Sequence, residues 1–200
     1  MKPIEHTSKP DFDIKQILTL DDCRELLKYR AQCETLEAHQ DYNLFDVGKT
    51  VIYADNLREY TKAQPKALAA FDKLQAEATR RGLGKMWTKY FLYYGEDGFT
   101  RHHTDDDAKV GLTMVTLIDQ KDLEGGETVL LKPYLAKARP GHKYAKRDGK
   151  DPPYGKRIVP EVVPMEVCDT IIYDRYLMHG VAKVRKGYRL VLVNWFEPAL

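Results

Sequence analysis

The chain has 200 residues, a length that predicts one domain over residues 1–200 with a single core. Hydrophobic residues make up 43%, which is typical of a globular protein, and no stretch approaches the roughly 18 consecutive apolar residues of a membrane helix. The N-terminal segment has no apolar run behind its basic residues, which argues against a secretory signal. We therefore expect a cytoplasmic protein that makes no membrane contact.

The cysteines are few and irregularly placed. Cys23, Cys33 and Cys168 are odd in number and lack a C-x-x-C spacing. This pattern argues against a disulfide framework and against a structural zinc site. We interpret all three as packing residues.

The first part of the chain, residues 1–84, is predicted to be mostly helical. Thr19 followed by Asp22 resembles a capping box, and apolar residues recur at helical spacing from Leu20 to about residue 38. A second helix is predicted to begin at Pro65 and to end near Arg80, before Gly82. We expect these helices to flank a different kind of structure.

From residue 85 onward the pattern changes to short β-rich runs separated by Gly, Pro and Asp. The runs are KMWTKYFLYY, GLTMVTLID, ETVLLK, DTIIYD and YRLVLVNWF. Such runs predict a β-sandwich or a barrel over residues 85–200.

A basic segment interrupts these runs between residues 132 and 160. It holds nine basic residues against two acidic ones from Lys132 to Arg157, and it is too long to be an ordinary strand connection. We interpret it as a mobile flap. Three uses stay open, namely a solvated loop, a lid, or a surface for an anionic partner.

The first candidate for chemistry is a metal site. On an extended segment His103 and Asp105 point the same way, so an imidazole and a carboxylate can meet at one ion. Two histidines and one carboxylate are the pattern of non-haem Fe(II), and His179 is the best remaining third ligand. Alone, H-x-D is a weak signal, because exposed acidic clusters are often only solvated turns.

The second candidate is an arginine ten residues after His179. Arg189 shares one strand face with Val191, Val193 and Trp195, and a guanidinium on an apolar inner face needs an anion. An Asp or Glu of the protein itself would satisfy it. With a metal triad nearby, the distal carboxylate of a dicarboxylic cosubstrate is the better fit to its bidentate fork.

Together these residues resemble a known family, the Fe(II) and 2-oxoglutarate dependent dioxygenases of the prolyl 4-hydroxylase type. The segment from Tyr94 to Asp105 is similar to that family's tyrosine, glycine-rich turn and H-x-D. EGGET (residues 124–128), the run from Val162 to Asp174, and the spacing from His179 through Arg189 to Trp195 extend the likeness over about residues 85–197.

The resemblance implies an α+β, mainly β fold: a double-stranded β-helix (jelly-roll) core flanked by N-terminal helices. It implies Fe(II) held by His103, Asp105 and His179, which would be the catalytic centre. It also implies 2-oxoglutarate as cosubstrate and O2 as oxidant, with ascorbate in a supporting role. The reaction would hydroxylate a C–H bond while 2-oxoglutarate is decarboxylated to succinate.

The cosubstrate would be seated by Arg189, with Tyr94 and Trp195 beside it. The tyrosine that members of this family often carry on the strand after H-x-D is missing, and Thr113, Tyr90 or Tyr93 is expected in its place. The family's glycine before the last strands is also replaced, by Val167 and Cys168.

Four polar residues near the motifs are candidates for substrate binding: Arg101, His102, Asp107 and Glu127. Each of them can equally be solvated. The lead hypothesis is a hydroxylase of a small polar metabolite, such as a free amino acid or a derivative. Hydroxylation of a peptide or protein side chain is the alternative, and a jelly-roll metal-binding or sensor protein without turnover is the rival from another class. The basic segment alone is thin evidence for nucleic acid.

Overall fold

An antiparallel β-sheet dominates the computed structural model, which describes residues 12–39, 46–54, 64–105, 107–135 and 156–198. The strands are β1 (Phe12–Gln16), β2 (Ala38–His39), β3 (Asp46–Tyr53), β4 (Met86–His103), β5 (Leu112–Gly125), β6 (Thr128–Leu135), β7 (Lys156–Val163), β8 (Asp169–Asp174), β9 (Met178–Val181) and β10 (Val184–Phe196).

The strand order positions the motifs next to one another. Neighbouring strands run β1-β8-β5-β10-β4-β9-β6-β7, and β3 also pairs with β4. The longest strands, β4 and β5, flank β10, and the end of β4 leaves β10 to pair with the short β9. Strand β4 thereby joins two parts of the sheet. This agrees with the jelly-roll core that the family resemblance implied.

Both predicted helices are confirmed. Helix α1 spans Leu20–Glu37, and its capping box forms as expected, because Thr19 N donates to Asp22 Oδ2 at 2.7 Å and Asp22 N donates to Thr19 Oγ1 at 3.2 Å. Helix α2 spans Pro65–Arg80 and begins with its proline in the first turn. Neither helix has the length and apolar character needed to cross a membrane.

The two faces of the sheet bury different sets of residues. Along β10, Leu190, Leu192 and Phe196 pack with the helices, whereas Val191 and Val193 pack into the interior of the jelly roll. This alternation follows from the two-residue period of a strand, and it confirms the predicted division of faces. The helices therefore cover one face and leave the other to line the candidate site.

Two aspects of the β-structure differ from the sequence interpretation. Strands β1 and β3 lie within the part predicted to be mostly helical, and both add to the sheet. The ends of the predicted basic flap are strands rather than loop, because Lys132 pairs with Val159 and Leu135 pairs with Lys156. The rest of the predicted flap, residues 136–155, lies outside the described residues.

An ion cluster joins helix α2 to strand β1. Glu77 accepts hydrogen bonds from Arg80, Arg81 and Lys15, at N–O distances between 2.6 and 3.2 Å. The hydrogen bonds from Arg80, followed by those from Arg81 and Lys15, outweigh burial and lower the pKa of Glu77 to about 2. A carboxyl whose pKa is lower in the folded state stabilises the protein above its unfolded pKa and loses that effect as the pH falls.

We expect Glu77→Gln to lower the free energy of unfolding by about 1–2 kcal/mol at pH 7, a figure reduced for solvent screening. The deficit should shrink as the pH falls from about 4.5 towards 2, because wild-type Glu77 then becomes protonated. Urea unfolding at several pH values measures it, with Asp72→Asn, an exposed site on the same helix, as the control. Parallel pH profiles for wild type and Glu77→Gln would contradict the prediction.

Candidate active site

Three polar side chains meet where strands β4 and β9 pair. His103 is the last residue of β4, Asp105 follows two residues later, and His179 lies in β9 directly opposite His103. Their ligand atoms all lie within 4.8 Å of one another. The strand pairing brings residues 76 positions apart in sequence, His103 and His179, to one point.

The geometry of this triad suits a single cation. Asp105 Oδ1 lies 3.6 Å from His103 Nε2 and 3.7 Å from His179 Nε2. Two ligand atoms that each lie at about 2.1 Å from one ion can be separated by up to about 4.2 Å. Both distances from Asp105 fall within that limit, which is compatible with one ion shared by the three side chains.

Backbone carbonyls fix both imidazole rings. The Nδ1 atoms of His103 and His179 lie 2.9 Å from the carbonyl oxygens of Arg101 and Leu177. A carbonyl only accepts, so each Nδ1 carries the hydrogen and each Nε2 presents its lone pair to the site. Burial holds the pKa of His179 below its usual value although the Asp105 charge opposes this, and the neutral ring is the form that binds a metal.

Asp105 is held in place by Thr113. The carboxylate is 6% exposed, and its Oδ2 accepts a hydrogen bond of 2.5 Å from Thr113 Oγ1. The hydroxyl of Thr113 is thus directed at the carboxylate of the triad, and its predicted contact with the cosubstrate stays a prediction. The hydrogen bond leaves Oδ1 facing the two imidazoles.

Arg189 is buried on the same inner face, with 3% of its surface exposed. Its guanidinium donates to the carbonyl of Gly126 and to Thr128 Oγ1 at 3.1 Å, and its Nε is buried with no hydrogen-bond partner. No carboxylate of the described residues lies in salt-bridge contact with it, although the Glu127 charge acts on it from a distance. Burial lowers the pKa of Arg189, which marks a cation placed where an anion would stabilise it.

A cavity of about 70 Å³ connects the triad to Arg189. Its walls include both histidines, Asp105, Arg189, Tyr94 and Tyr173. A second, more open cavity of about 390 Å³ lies on another side of Arg189 and is lined by Glu127. The guanidinium therefore forms part of the wall of both cavities.

Sequence reasoning missed Tyr173 as a site residue. This residue of β8 is 3% exposed, and its ring centroid lies 4.6 Å from that of His179. Burial, followed by the Asp105 charge, raises the pKa of Tyr173 well above its usual value, so the phenol stays protonated. The signal was present in the DTIIYD run, where alternation places Tyr173 on the same face as Ile171, which belongs to the inner cluster.

The two predicted tyrosines of β4 face opposite ways. Tyr94 lines the cavity, its hydroxyl lies 2.8 Å from Thr100 Oγ1, and its ring centroid lies 6.0 Å from the guanidinium carbon of Arg189. Tyr93 instead packs on the helix side, with its ring 5.5 Å from that of Tyr188. Because adjacent strand residues point to opposite faces, Tyr93 lies away from the cavity in which the cosubstrate was predicted to bind.

Trp195 lies on the predicted face but is not part of the cavity wall. Its ring stacks on Trp87 at 5.8 Å and meets Tyr90 edge-on at 5.7 Å, and Tyr90 itself lines the cavity. Trp195 also pairs with Thr113 across strands β10 and β5. Its role beside the cosubstrate stays a prediction.

The four predicted substrate residues divide into two groups. Arg101, His102 and Asp107 are exposed near the triad, with Asp107 tied to the loop through Lys109 N at 2.8 Å. Glu127 is partly buried and lines the larger cavity beside Arg189. Arg101, His102 and Asp107 lie next to the triad residues in the sequence, and Glu127 does not. The role of all four residues as substrate contacts stays a prediction.

Solved structures of similar shape include three whose names state an activity or a bound ligand. A prolyl-4-hydroxylase from Pseudomonas putida is 18% identical, with a TM-score of 0.59 over 94% of this chain and 92% of that one. A prolyl hydroxylase from Trichoplax adhaerens, in complex with a hypoxia inducible factor peptide, is 12% identical, with a TM-score of 0.65 over 94% and 84%. HygX from Streptomyces hygroscopicus, with nickel and 2-oxoglutarate bound, is 14% identical, with a TM-score of 0.58 over 95% and 84%.

Comparison of sequence alone gives a different result: no family model and no curated protein matches the chain. The three-dimensional likeness nevertheless extends over nearly the whole chain and over most of each of these structures. The protein therefore has the jelly-roll fold of the 2-oxoglutarate and Fe(II) dependent oxygenases.

Proposed function

We propose that the protein is an Fe(II) and 2-oxoglutarate dependent dioxygenase that hydroxylates an unactivated C–H bond of a small polar metabolite, such as a free amino acid or a derivative. The observation that carries the proposal is the pairing of two features in one cavity. They are a two-histidine, one-carboxylate triad and a buried arginine without a carboxylate partner among the described residues.

The donor set fits Fe(II). Two imidazole nitrogens and one carboxylate oxygen occupy one side of an ion and leave the other positions open, which is the arrangement of non-haem iron oxygenases. The Thr113 hydroxyl and the carbonyls of Arg101 and Leu177 hold these three ligands in position. When bound, iron and 2-oxoglutarate together would supply the oxidation of the C–H bond by O2.

Arg189 fits the distal carboxylate of 2-oxoglutarate. Its buried Nε has no partner, and its other nitrogens already hold it in a fixed orientation through Gly126 and Thr128. An incoming carboxylate would satisfy the unpaired donor and neutralise the desolvated charge. Tyr94 and Tyr173, which line the same cavity, would offer phenol hydroxyls to the remaining oxygens.

The small-metabolite substrate rests on the exposure and polarity of the surroundings of the triad. The cavity of about 70 Å³ between the triad and Arg189 would be taken by 2-oxoglutarate, so the substrate would reach the triad from the exposed side of His103. Exposed polar side chains, Arg101, His102 and Asp107, lie beside the triad in the chain and would orient a polar molecule. An O2-dependent reaction at this position needs one C–H bond aimed at the metal, so orientation is the main task of these residues.

A peptide or protein substrate is the second candidate, because a single protruding side chain would fit the same space. Among proteins of similar shape, the one from Trichoplax adhaerens is described in complex with a peptide.

The third candidate is a metal-binding protein without turnover. Arg189 argues against it, because a buried guanidinium without a carboxylate partner is costly unless a ligand uses it.

Succinate formation from 2-oxoglutarate under air, with added Fe(II) and ascorbate, tests the proposal. We expect slow turnover in wild type that requires iron and disappears in His179→Ala, since that change removes one of the triad's imidazoles. Pools of amino acids and of proline-containing peptides are then compared for acceleration. Acceleration by the amino acids supports the metabolite hypothesis, whereas acceleration by the peptides alone supports the second candidate.

Controls separate lack of activity from lack of structure. Circular dichroism and thermal denaturation confirm that His179→Ala remains folded, and omission of iron gives the background. If iron-loaded wild type forms no succinate above this background with any pool, the dioxygenase proposal is wrong and the non-catalytic metal protein takes its place.

A further inference from the structure

We infer that Cys23 and Cys168 form a redox-modification site, a buried thiol pair that an oxidant of the peroxide class joins as a disulfide between helix α1 and the turn before strand β8. Nothing in this inference depends on the proposed oxygenase activity. Both cysteines also pack in the hydrophobic core, as the sequence predicted.

Proximity is the first support. The Sγ atoms of Cys23 and Cys168 lie 3.0 Å apart although the residues are 145 positions apart in sequence. An S–S bond is about 2.05 Å long, so the two sulfurs need to approach by only about 1 Å. Both side chains are buried, at 2% and 3% exposure, and the fold therefore holds them together before any oxidation.

Backbone conformation is the second, independent support. Cys168 has a φ of 81°, in the left-handed region that favours glycine and disfavours residues with a Cβ. The turn is nevertheless fixed, because Cys168 N donates to Leu117 O at 2.8 Å and Asp169 N donates to Glu166 O at 2.9 Å. A cysteine at a position suited to glycine indicates that its side chain has a use, and that side chain meets Cys23.

The reaction needs two electrons to leave the pair. One thiolate attacks a peroxide oxygen, the O–O bond breaks, and a sulfenic acid and water form. The second thiol then attacks the sulfenic sulfur, the S–S bond forms, and the S–O bond breaks to release a second water. One molecule of hydrogen peroxide is thereby reduced to two of water, and the two thiols are oxidised to one disulfide.

The surroundings of the pair indicate that the reaction is slow but accessible. Burial raises the pKa of the Cys23 thiol, and the neighbouring Cys168 raises it further, so little thiolate is present near neutral pH. Chain neighbours of the pair reach the surface, because Glu166 is exposed and Asp22 and Val167 are only partly buried. We expect a small oxidant such as hydrogen peroxide to enter beside them.

A disulfide here would close a loop of most of the chain and attach helix α1 to the sheet that bears Tyr173. Closing a long loop restricts the unfolded chain most, and typical disulfides raise the melting temperature of a protein of this size by roughly 5–15 °C. The modification is thus expected to appear as a rise in thermal stability that a thiol reductant reverses.

The test uses the full chain incubated with hydrogen peroxide, then denatured and alkylated with N-ethylmaleimide for intact-mass analysis. Reduced wild type has three thiols to alkylate, and the oxidised protein is expected to have one, with a Cys23–Cys168 linked peptide after digestion. Cys33→Ser is the matched control. After oxidation, its Cys23 and Cys168 should no longer be alkylated. Cys168→Gly, which suits the positive φ, should keep both of its remaining thiols and show no rise in melting temperature.

Several outcomes would overturn the inference. Three alkylated thiols after prolonged oxidation would show that the pair is only in contact, sharing an S–H···S hydrogen bond. A linked peptide containing Cys33, cross-linked dimers on a non-reducing gel, or oxygen addition without a cross-link would each assign the oxidation to other chemistry.

Discussion

Replacing Arg189 with methionine is expected to weaken binding of 2-oxoglutarate by about 30- to 5,000-fold, which corresponds to losing one partner of a buried, hydrogen-bonded charge pair worth about 2–5 kcal/mol. Arg189 is 3% exposed and its Nε has no partner among the described residues, so this donor and the buried charge are available to a ligand. Calorimetric titration of Mn(II)-loaded protein with 2-oxoglutarate, without oxygen, measures the affinity directly.

The same substitution should leave the stability of the ligand-free protein unchanged or slightly higher. Burying a guanidinium that has no anionic partner costs free energy, and methionine removes that cost. The substitution also removes the hydrogen bonds to Gly126 and Thr128, which offsets part of the gain in stability. Arg189 would behave differently if it only supported the fold. Arg189→Met would then lower the melting temperature and leave the affinity for 2-oxoglutarate intact.

The matched control for this prediction is Arg185→Met, four residues earlier on the same strand. Arg185 is exposed and lies outside both cavities, so its replacement removes the same charge without touching the site. Equal loss of affinity in both variants would mean that the overall charge of the protein, rather than the position of Arg189, controls binding.

The sequence predicted most of the fold and the metal triad, because both depend on local periodicity and on spacing. The capping box of Thr19 and Asp22, the start of α2 at Pro65 and the two faces of β10 each follow from a few neighbouring residues. The triad was predicted by the H-x-D motif together with His179 and Arg189, and the resemblance to the dioxygenase family supplied the pairing of distant residues that local patterns lack.

What the sequence missed depends on long-range pairing. Strand β1 joins the sheet only through β8, and strand β3 joins it through β4, so neither has a local signal as strong as that of the central strands. Tyr173 belongs to the site because β9 carries His179 against its ring. The assignment of Tyr93 was avoidable, because Tyr94 and Tyr93 are adjacent on one strand and only one of them can face Arg189.

Thr113 illustrates a third kind of limit. The sequence placed it correctly near the site, as a substitute for a missing tyrosine, but did not predict that its hydroxyl donates to Asp105. A short hydroxyl cannot span the space that a tyrosine spans, and the nearest acceptor is the buried carboxylate. Position was predictable from the strand period, whereas the choice of partner required distances.

The metal site gives the second large expected effect. Asp105→Ala should lower the affinity for a divalent ion such as Co(II) by about 1,000-fold or more, since it removes the only charged ligand of the triad and about 4 kcal/mol of attraction. Wild type should melt about 5–10 °C higher when Co(II) is present at about 100 times its dissociation constant, because an ion that binds only the folded state adds stability. The variant should show no such shift at the same concentration.

Thr113→Val provides the graded comparison, because it keeps all three ligands and removes only the hydrogen bond to Asp105 Oδ2. Loss of a group that orients a metal ligand typically weakens metal binding about 10- to 100-fold, so Co(II) titrations followed by visible absorption should place this variant between wild type and Asp105→Ala. Thr113→Ser retains a hydroxyl and should bind nearly as wild type does. If Asp105→Ala binds Co(II) as tightly as wild type, the ion is held elsewhere and the triad is not the metal site. If Asp105→Ala loses affinity but Thr113→Val binds Co(II) as wild type does, the ion itself rather than the threonine orients Asp105.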